Sequence, residues 1–516
     1  MAHRIRLTGT GLGLAQAAMV LSGEPLRISL SGAASKAVAA SSRRMKAALD
    51  GPEPIYGVNT GFGSLCDQRI PRAGIRELQL NLLRSHACGS GDTLPDGVVR
   101  LAMALRAQSL ARGASGVRPV VVAKLLACVN AGVTPVVPGQ GSVGASGDLA
   151  PLASLALVLV GEGRACLRGR EMDGASALKR AGIAPLVLEA KEGLALLNGT
   201  QISTALAAAA CLRARSLSMT ADAVGALSVE AYRGSDAPFD RRIAALRNHP
   251  GTTHAAANLR ACLEGSEVME SHADCGRVQD PYSLRCMPQV HGAAKDLLDQ
   301  ACASVEREMN AVTDNPLLVG RDVISGGNFH GMPMALAADQ ITLALSTWAN
   351  ISERRTALLT DGKRSGLPEH LAPPGGLNSG YMLLQTHAAA LAAEVRHSAA
   401  PMSVHSIPTG ADQEDHVPMA TAAASRLDKA LTDAEGVLAL EAMCAAQALD
   451  LVPPKIGRRR ALPGVGAEAV RKAVRRRVRV LKVDRDLTGD VATLREAVTN
   501  GELSAAADAA CGPLSP

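Results

Sequence analysis

The segment Gly141-Ser-Val-Gly-Ala-Ser-Gly-Asp-Leu-Ala-Pro151 contains three consecutive small residues whose atoms could form a ring. The nitrogen of Gly147 has no side chain in its way and could attack the carbonyl carbon of Ala145. Loss of two waters, one of them from Ser146, would leave a five-membered ring with an exocyclic alkene, which is an electrophile. Such a compressed turn needs small residues, and the surrounding fold must hold its strain. The same segment also fits a glycine-rich turn in which Ser146 or Asp148 caps the next helix, and the pattern alone favours that simpler interpretation.

Seven blocks of glycine, aromatic and polar residues, one of them within this segment, follow one another along the chain. In order they are Tyr56-Gly-Val-Asn-Thr-Gly-Phe-Gly63, Ser142-Val-Gly-Ala-Ser-Gly-Asp-Leu149, Leu196-Leu-Asn-Gly-Thr-Gln201, Gln279-Asp-Pro-Tyr-Ser-Leu-Arg285, Asp314-Asn-Pro316, Gly326-Gly-Asn-Phe-His330 and Gln413-Glu-Asp-His416. Together these blocks resemble the histidine and aromatic amino-acid ammonia-lyases, over a stretch from about Tyr56 to Leu451. One block would be weak evidence, whereas the complete set in the family's order is strong.

The resemblance implies that Ala145-Ser146-Gly147 cyclises to 4-methylidene-imidazol-5-one (MIO), a built-in electrophile, with no external cofactor and no metal. An amino acid resists loss of ammonia because its β-proton is barely acidic and its amine is a poor leaving group, so an electrophile must be supplied. In this family the MIO alkene is taken to capture the substrate amine while a base removes the β-proton. Attack by the aromatic ring is an older alternative, which the sequence does not separate from the first.

The resemblance also implies a role for each matching residue. Tyr282 matches the catalytic base, and Tyr56 matches a residue that assists proton transfer. Arg285 is suited to a bidentate clamp on the substrate carboxylate. Three further residues would orient MIO, the carboxylate or the substrate: Asn198, Gln279 and Phe329. Each alone could be an ordinary core residue or ion-pair partner, but their joint occurrence in these blocks makes that improbable.

Ser85-His86 and Glu414 bear on the choice of amino acid. In the family, the pair that matches residues 85 and 86 is Phe-Leu in enzymes that act on phenylalanine. It is His-Leu in tyrosine enzymes and Ser-His in histidine enzymes. A carboxylate at position 414 can bond an imidazole N–H, whereas an unsatisfied carboxylate buried against a phenyl ring would be costly. Both features predict L-histidine, converted to trans-urocanate and ammonia. Taken singly, His86 could be a core histidine and Glu414 a surface acid beside Asp415.

Departures from the family pattern keep other activities open. Before Gln413 the chain reads Thr409-Gly-Ala-Asp412, where histidine-type enzymes more often have Thr-Ser-Ala-Asn. The match is also loose around Glu394-Val-Arg-His397 and in the tail from Val452. A lyase for a modified histidine is therefore an alternative, as is another MIO enzyme, namely a tyrosine or phenylalanine ammonia-lyase or aminomutase. A different class of function is an inactive helical oligomer that keeps only the scaffold.

The elements that must position these residues are predicted to be helices. The 516 residues include only one Trp, four Tyr and three Phe, although 47% are hydrophobic, so the core must consist of Ala, Leu, Val and Met. Such a composition favours helix over sheet. Apolar spacing predicts helices over 31–49, 203–227, 290–312, 334–356, 381–400 and 418–449. Within the last segment, Thr432-x-x-Glu435 fits a capping box that opens a helix ending at Pro453-Pro454.

The predicted fold class is mainly α, and three segments are expected. An N-terminal mixed domain covers 1–112, a helical bundle core with the MIO site covers 113–452, and a basic helical tail covers 453–516. The resemblance implies that the core is a long-helix bundle of the fumarase/aspartase-like superfamily. The Lys- and Arg-rich tail is interpreted as a solvated face or an acid-binding patch within an oligomer, with nucleic acid a minor alternative.

Composition also argues against several classes of protein. A net charge of +6 does not demand a nucleic-acid partner, and 11 cysteines without a C-x-x-C pair indicate reduced thiols and no structural zinc site. The N-terminus lacks the apolar region of a signal peptide, and Pro151–Gly161 is shorter than the ~20 residues of a spanning helix. We therefore expect a soluble, cytoplasmic enzyme without a membrane partner. The resemblance implies a homotetramer whose active sites combine residues from several subunits.

Overall fold

The chain is mainly helical, which confirms the predicted fold class. The structure is a computed structural model that describes residues 3–272, 276–372 and 374–516. They form two compact units. Unit 1 comprises Met1–Ala209, Ala301–Asp339 and Pro401–Arg426, and unit 2 comprises Ala210–Gln300, Gln340–Ala400 and Leu427–Pro516. Each unit therefore combines stretches that are distant in sequence, and the expected contiguous segments 1–112, 113–452 and 453–516 stay a prediction of domain organisation.

Most of the helical residues lie in long helices. Helices of at least ten residues are Gly32–Leu49, Ile75–His86, Asp96–Ala111, Pro119–Ala131, Leu149–Leu159, Gln201–Tyr232, Pro250–Leu263, Met287–Glu308, Met332–Thr360, Met382–Ser398, Leu427–Leu451, Val465–Arg477, Thr488–Thr499 and Glu502–Cys511. Shorter α-helices are Leu14–Leu21, Gly174–Arg180, Glu192–Leu197, Arg241–Arg247, Glu267–Glu270, Tyr282–Arg285, Gly362–Ser365 and Ala420–Ser425. Over the described ranges, none of these helices combines the length and apolar character needed to cross a membrane.

Each of the predicted helical segments contains helix, but the last one is divided. Ala420–Ser425 and Leu427–Leu451 replace the single helix predicted over 418–449. The helix ends before Pro453, as predicted, because proline cannot continue it. The capping-box prediction is wrong, since Thr432 lies inside this helix and its hydroxyl accepts a hydrogen bond from the Arg213 guanidinium at 3.4 Å.

Strands are short and lie almost entirely in unit 1. His3–Leu7 pairs in parallel with Leu26–Leu30, and the other pairs are antiparallel. They join Ser90–Thr93 to Pro138–Gln140, Val133–Pro135 to Arg164–Leu167, Arg164–Leu167 to Arg170–Asp173, and Leu317–Val319 to Asp322–Ile324. In unit 2, Lys455–Ile456 pairs with Arg459–Arg460.

The scarce aromatic residues divide by location. The four outside the motif blocks are buried in unit 2: Tyr232, Phe239, Trp348 and Tyr381. The four inside the blocks are Tyr56, Phe62, Tyr282 and Phe329, and each of these keeps solvent exposure. The aromatic residues that pack in the core are thus different from those that belong to the motif blocks.

Many basic residues of the tail are neutralised within unit 2. Asp450 accepts from Arg460, Arg471 and Arg475 at 3.1, 2.9 and 2.6 Å. Arg485 pairs with Asp490 at 2.6 Å. The expected solvated basic face is therefore smaller than the sequence suggests, because Asp450 and an acid of the tail itself, Asp490, pair with it.

Candidate active site

The Ala145-Ser146-Gly147 turn lies in unit 1, directly before helix Leu149–Leu159. Gly147 has a φ of +74°, and a Cβ at this position would lie 2.3 Å from the carbonyl oxygen of Gly199. Only glycine fits a position that combines this conformation with so close a neighbour. Gly147 forms bridges with both Gly144 and Gly199. The backbone is therefore held in a tight turn where ring closure would join residues 145 and 147.

Asp148 fastens this turn to two other segments. Although it precedes helix Leu149–Leu159, its side chain makes no capping bond there. Its Oδ2 accepts from the main-chain nitrogen and hydroxyl of Ser203 at 2.8 and 3.0 Å, and its Oδ1 accepts from Thr421 at 2.7 Å. Burial raises the pKa of Asp148 more than these hydrogen bonds lower it. The simple interpretation of Asp148 as the cap of the next helix is wrong.

Ser146 is contacted from two sides. Its hydroxyl donates to Oε1 of Glu414 at 2.8 Å, and its carbonyl oxygen accepts from the side-chain amide of Asn198, also at 2.8 Å. The second carboxylate oxygen of Glu414 accepts from the Thr409 hydroxyl at 2.6 Å. Thr409 and Glu414 also pair through their main chains. The structure thus brings together Ser146, Asn198 and Glu414, three predicted site residues from distant parts of the chain.

Arg106 lies behind Asn198 and was missed by the sequence analysis. Its guanidinium is fully buried, and its Nη1 donates to the main-chain oxygen of Asn198 at 2.7 Å and to Oε1 of Gln201 at 2.9 Å. Burial lowers the pKa of Arg106, and the negative charge of Asp314 opposes that effect. A lone arginine within the apolar run Leu101-Ala-Met-Ala-Leu-Arg-Ala was the available signal.

A buried ion pair accompanies Arg106. Lys191 donates to Oδ1 of Asp314 and to the main-chain oxygen of Asn315, both at 2.7 Å, and both members of the pair are fully buried. Burial lowers the pKa of Lys191. Asp314 is therefore bound directly by Lys191, and its negative charge also acts on the buried guanidinium of Arg106.

Tyr56 lies in the glycine-rich block that also holds Phe62. Its hydroxyl accepts from the main-chain nitrogen of Gly63 at 3.1 Å, and its ring meets that of Phe62 edge-on with centroids 6.2 Å apart. Burial raises the pKa of Tyr56, the Gly63 bond opposes this, and the charge of Glu414 adds to it. Tyr56 is therefore a neutral phenol whose pKa is influenced by the negative charge of Glu414.

His86 ends helix Ile75–His86 with its ring orientation fixed. Its Nδ1 lies 2.9 Å from the carbonyl oxygen of Leu82, so Nδ1 carries the proton and Nε2 of the neutral ring is an acceptor. Burial lowers the pKa of His86 more than the Leu82 bond and the charge of Glu414 raise it. Ser85 donates to the same carbonyl oxygen at 3.2 Å and is exposed.

Phe329 is half-buried in the loop before helix Met332–Thr360. Two residues further on, the main-chain nitrogen of Gly331 donates to the carbonyl oxygen of Gly144 at 2.9 Å. The loop that carries Phe329 therefore contacts the glycine turn. A contact of the ring itself with MIO or substrate stays a prediction.

Gln279, Tyr282 and Arg285 belong to unit 2. Tyr282 is 71% exposed, and the guanidinium carbon of Arg285 lies 4.6 Å from the centroid of its ring. Nε of Arg285 is buried and has no hydrogen-bond partner among the residues that the structure describes. Gln279 is exposed. Their predicted action at the Ala145–Gly147 turn stays a prediction.

Comparisons with known proteins agree on one family. The family model described as aromatic amino acid lyase matches residues 12–476. A histidine ammonia-lyase of Sorangium cellulosum is 49% identical over 488 residues, which cover 92% of this chain and 94% of that protein. The crystal structure of histidine ammonia-lyase from Trypanosoma cruzi has a TM-score of 0.89 at 36% identity, covering 98% of this chain and 95% of the other. Tyrosine aminomutase from Streptomyces globisporus has a TM-score of 0.91 at 35% identity, covering 98% of each chain.

Proposed function

Because the chain belongs to the aromatic amino acid lyase family, we propose that it removes ammonia from L-histidine to give trans-urocanate. The contact that supports this most directly is the hydrogen bond from the Ser146 hydroxyl to Glu414 at 2.8 Å. It joins the serine of the Ala-Ser-Gly turn to the carboxylate predicted to recognise an imidazole. Relatives about half identical over nearly the whole chain carry the name histidine ammonia-lyase.

The residues around the turn fit an MIO group. Position 147 has no room for a Cβ, which leaves its nitrogen free of side-chain hindrance, and Asn198 already donates to the carbonyl oxygen of Ser146. Once formed, MIO supplies an electrophilic alkene conjugated with that carbonyl. Asn198 withdraws electron density through this hydrogen bond, and Arg106 fixes Asn198 from behind through its main-chain oxygen.

Two acceptors suit an imidazole side chain: Glu414, which contacts the turn, and His86, whose ring is influenced by the charge of Glu414. Nε2 of neutral His86 and the carboxylate of Glu414 can each accept an imidazole N–H. A phenyl ring offers no N–H to either acceptor, and a site built to hydrogen-bond its substrate rejects an analogue that lacks the donor. This chemistry favours histidine over phenylalanine, and a modified histidine that keeps an imidazole N–H is the alternative it allows.

Gln279, Tyr282 and Arg285 complete the proposed reaction. Arg285 binds the substrate carboxylate through its planar fork, Gln279 orients it, and Tyr282 removes the β-proton while Tyr56 assists proton transfer. Tyr282 is exposed on the single chain, as are large apolar residues of the same unit such as Leu377 and Leu383. We place the reaction in a cytoplasmic homotetramer whose sites are shared between subunits.

Three measurements test this function. Intact mass must show a chain lighter by two waters than its sequence, since a chain that retains both waters has no electrophile. Ammonia release should then be assayed with histidine, tyrosine, phenylalanine and an N-methylated histidine, and we expect histidine to give the highest kcat/KM. Preference for tyrosine or formation of a β-amino acid would overturn the histidine assignment in favour of an aminomutase-type activity. Ser146→Ala should abolish turnover without loss of folding.

A further inference from the structure

The hydroxyl of Ser146 is the group that must leave when the electrophile forms, and its hydrogen-bond partner is a carboxylate. Oε1 of Glu414 accepts from this hydroxyl at 2.8 Å. A hydroxide is a poor leaving group, and an acid that delivers a proton to its oxygen removes that obstacle. The role predicted for Glu414 in substrate recognition does not account for its contact with Ser146.

Formation of the ring releases two waters from different atoms. In ring closure, the Gly147 nitrogen bonds to the Ala145 carbonyl carbon, and that carbonyl oxygen leaves as water with the protons of the Gly147 and Ser146 nitrogens. In the second step, the Ser146 Cα–H bond and the Cβ–Oγ bond break. The electron pair of the Cα–H bond becomes the alkene, and Oγ leaves as water. This second step needs a group that takes up the Cα proton and a group that protonates Oγ.

Glu414 is held in place for this second step. Its Oε2 accepts from the Thr409 hydroxyl at 2.6 Å, and the main chains of residues 409 and 414 pair in both directions at 3.0 and 3.2 Å. The carboxylate therefore has one fixed oxygen and one oxygen on Ser146. Tyr56 and His86 are both neutral near pH 7, because burial raises the pKa of the first and lowers that of the second.

We propose that Glu414 is the acid–base residue that dehydrates Ser146 during formation of the electrophile. The carboxylate takes up the proton released from Cα, directly or through the water of ring closure. It then delivers this proton to Oγ as the Cβ–Oγ bond breaks, so the carboxylate gains no net proton. This inference rests on the proposed function and adds to it a maturation step performed by the same residue.

The loss of Oγ then changes what Oε1 can bind. In the unprocessed chain this oxygen accepts from Ser146, whereas after dehydration the hydroxyl is gone and Thr409 still occupies only Oε2. Oε1 becomes free to accept the imidazole N–H of histidine. One oxygen thus serves maturation first and substrate recognition afterwards.

The test is the mass of the peptide that contains residues 145–147, from full-length chains sampled over time after synthesis. We expect the wild type to lack two waters. In Glu414→Ala and Glu414→Gln, we expect a species that lacks one water to accumulate, with loss of the second water slowed about 100-fold or more. The Gln variant keeps the size of the side chain, so it reports on the proton rather than on folding. Asp415→Asn, a change at the exposed neighbouring acid, should lose both waters at the wild-type rate.

The outcomes separate this inference from the proposed function. If the wild type keeps both waters, the proposed function itself fails. If the wild type loses two waters and both Glu414 variants do so at the same rate, the acid–base role is overturned while the lyase function stands. Glu414 variants that keep both waters would also overturn the assignment, since they would show that the carboxylate acts in ring closure and not in the loss of Oγ.

Discussion

Arg106 donates from its buried guanidinium to the main-chain oxygen of Asn198 at 2.7 Å, while the side chain of Asn198 donates to Ser146 at 2.8 Å. One residue therefore links a buried cation to the carbonyl group of Ser146, where we propose that the electrophile forms. Nε and Nη2 of Arg106 have no hydrogen-bond partner among the described residues, so its burial is costly. We expect this buried cation, in contact with Asn198, to hold the amide against Ser146.

Substitution of Arg106 should separate this positioning role from stability. We expect Arg106→Met to lower kcat by about 10- to 100-fold with little change in KM, because a displaced Asn198 no longer polarises the Ser146 carbonyl. Activity must be expressed per chain that lacks two waters, as counted by mass. Arg106→Lys should lose less, since it keeps the charge with a single donor group.

Lys295→Met is the matched control for Arg106. Lys295 is equally buried in unit 2 and pairs with Asp222 at 3.1 Å. Its loss should lower the thermal midpoint without changing kcat per mature chain. The positioning role is refuted if Arg106→Met behaves in the same way as this control.

Gly147→Ala should block formation of the electrophile. An alanine Cβ would lie 2.3 Å from the Gly199 oxygen, in addition to the cost of about 1–2 kcal/mol for a φ of +74°. Gly169→Ala is the control, because Gly169 has the same φ of +74° but no atom within 4 Å of an added Cβ. We expect intact mass to show retained water in Gly147→Ala and complete loss of both waters in Gly169→Ala. Equal maturation of the two variants would contradict the close contact.

The sequence predicted the long helices well, for reasons that are themselves local. Helix Gln201–Tyr232 follows from apolar spacing and Ala-rich composition, and the Ala145–Gly147 turn from its small residues. The two hydrogen-bond partners of Asp148 could not be predicted. Ser203 and Thr421 are distant from Asp148 in sequence and contact it only in the folded chain. Arg106 was missed for the same reason, since a buried arginine in an apolar helix does not reveal which carbonyl oxygen it contacts.

Glu230 should make unit 2 less stable as pH rises. It accepts from the Gly464 nitrogen at 2.8 Å and the Ser266 hydroxyl at 2.9 Å, and burial raises its pKa to about 7 from 4.5. Between pH 4.5 and about pH 7, the carboxyl group is ionised in the unfolded chain but keeps its proton in the folded chain. The stability that Glu230 contributes is therefore complete below pH 4.5 and is lost as the pH rises through about 7. The full effect is about 3 kcal/mol.

Glu230→Gln isolates this effect. The amide cannot ionise, so the variant should lose less stability than the wild type between about pH 5 and about pH 8. Urea unfolding of both proteins at the two pH values measures the difference. Parallel stability curves for the two proteins would show that Glu230 ionises normally in the folded state.

The proposed sharing of active sites between subunits predicts that two inactive chains rescue each other. Ser146→Ala lacks the electrophile and Tyr282→Phe lacks the proposed base, so each alone should be inactive or nearly so. In randomly assembled tetramers of both chains, about a quarter of the sites would combine an intact residue 146 with an intact Tyr282 from another subunit. Co-expression should therefore restore up to about a quarter of wild-type activity. Mixtures that remain as inactive as the separate variants would place both residues of each site on one chain.

The hydrogen bond between Ser146 and Glu414 spans 268 residues of sequence, which sets an order of events on the ribosome. At about 5–20 residues per second, translation reaches Glu414 on the order of tens of seconds after Ser146. With Glu414 as the dehydrating residue, the nascent chain carries an ordinary serine throughout that interval. Cellular thiols therefore meet no reactive alkene on an incomplete chain, and a chain released before Glu414 is synthesised carries no electrophile at residue 146.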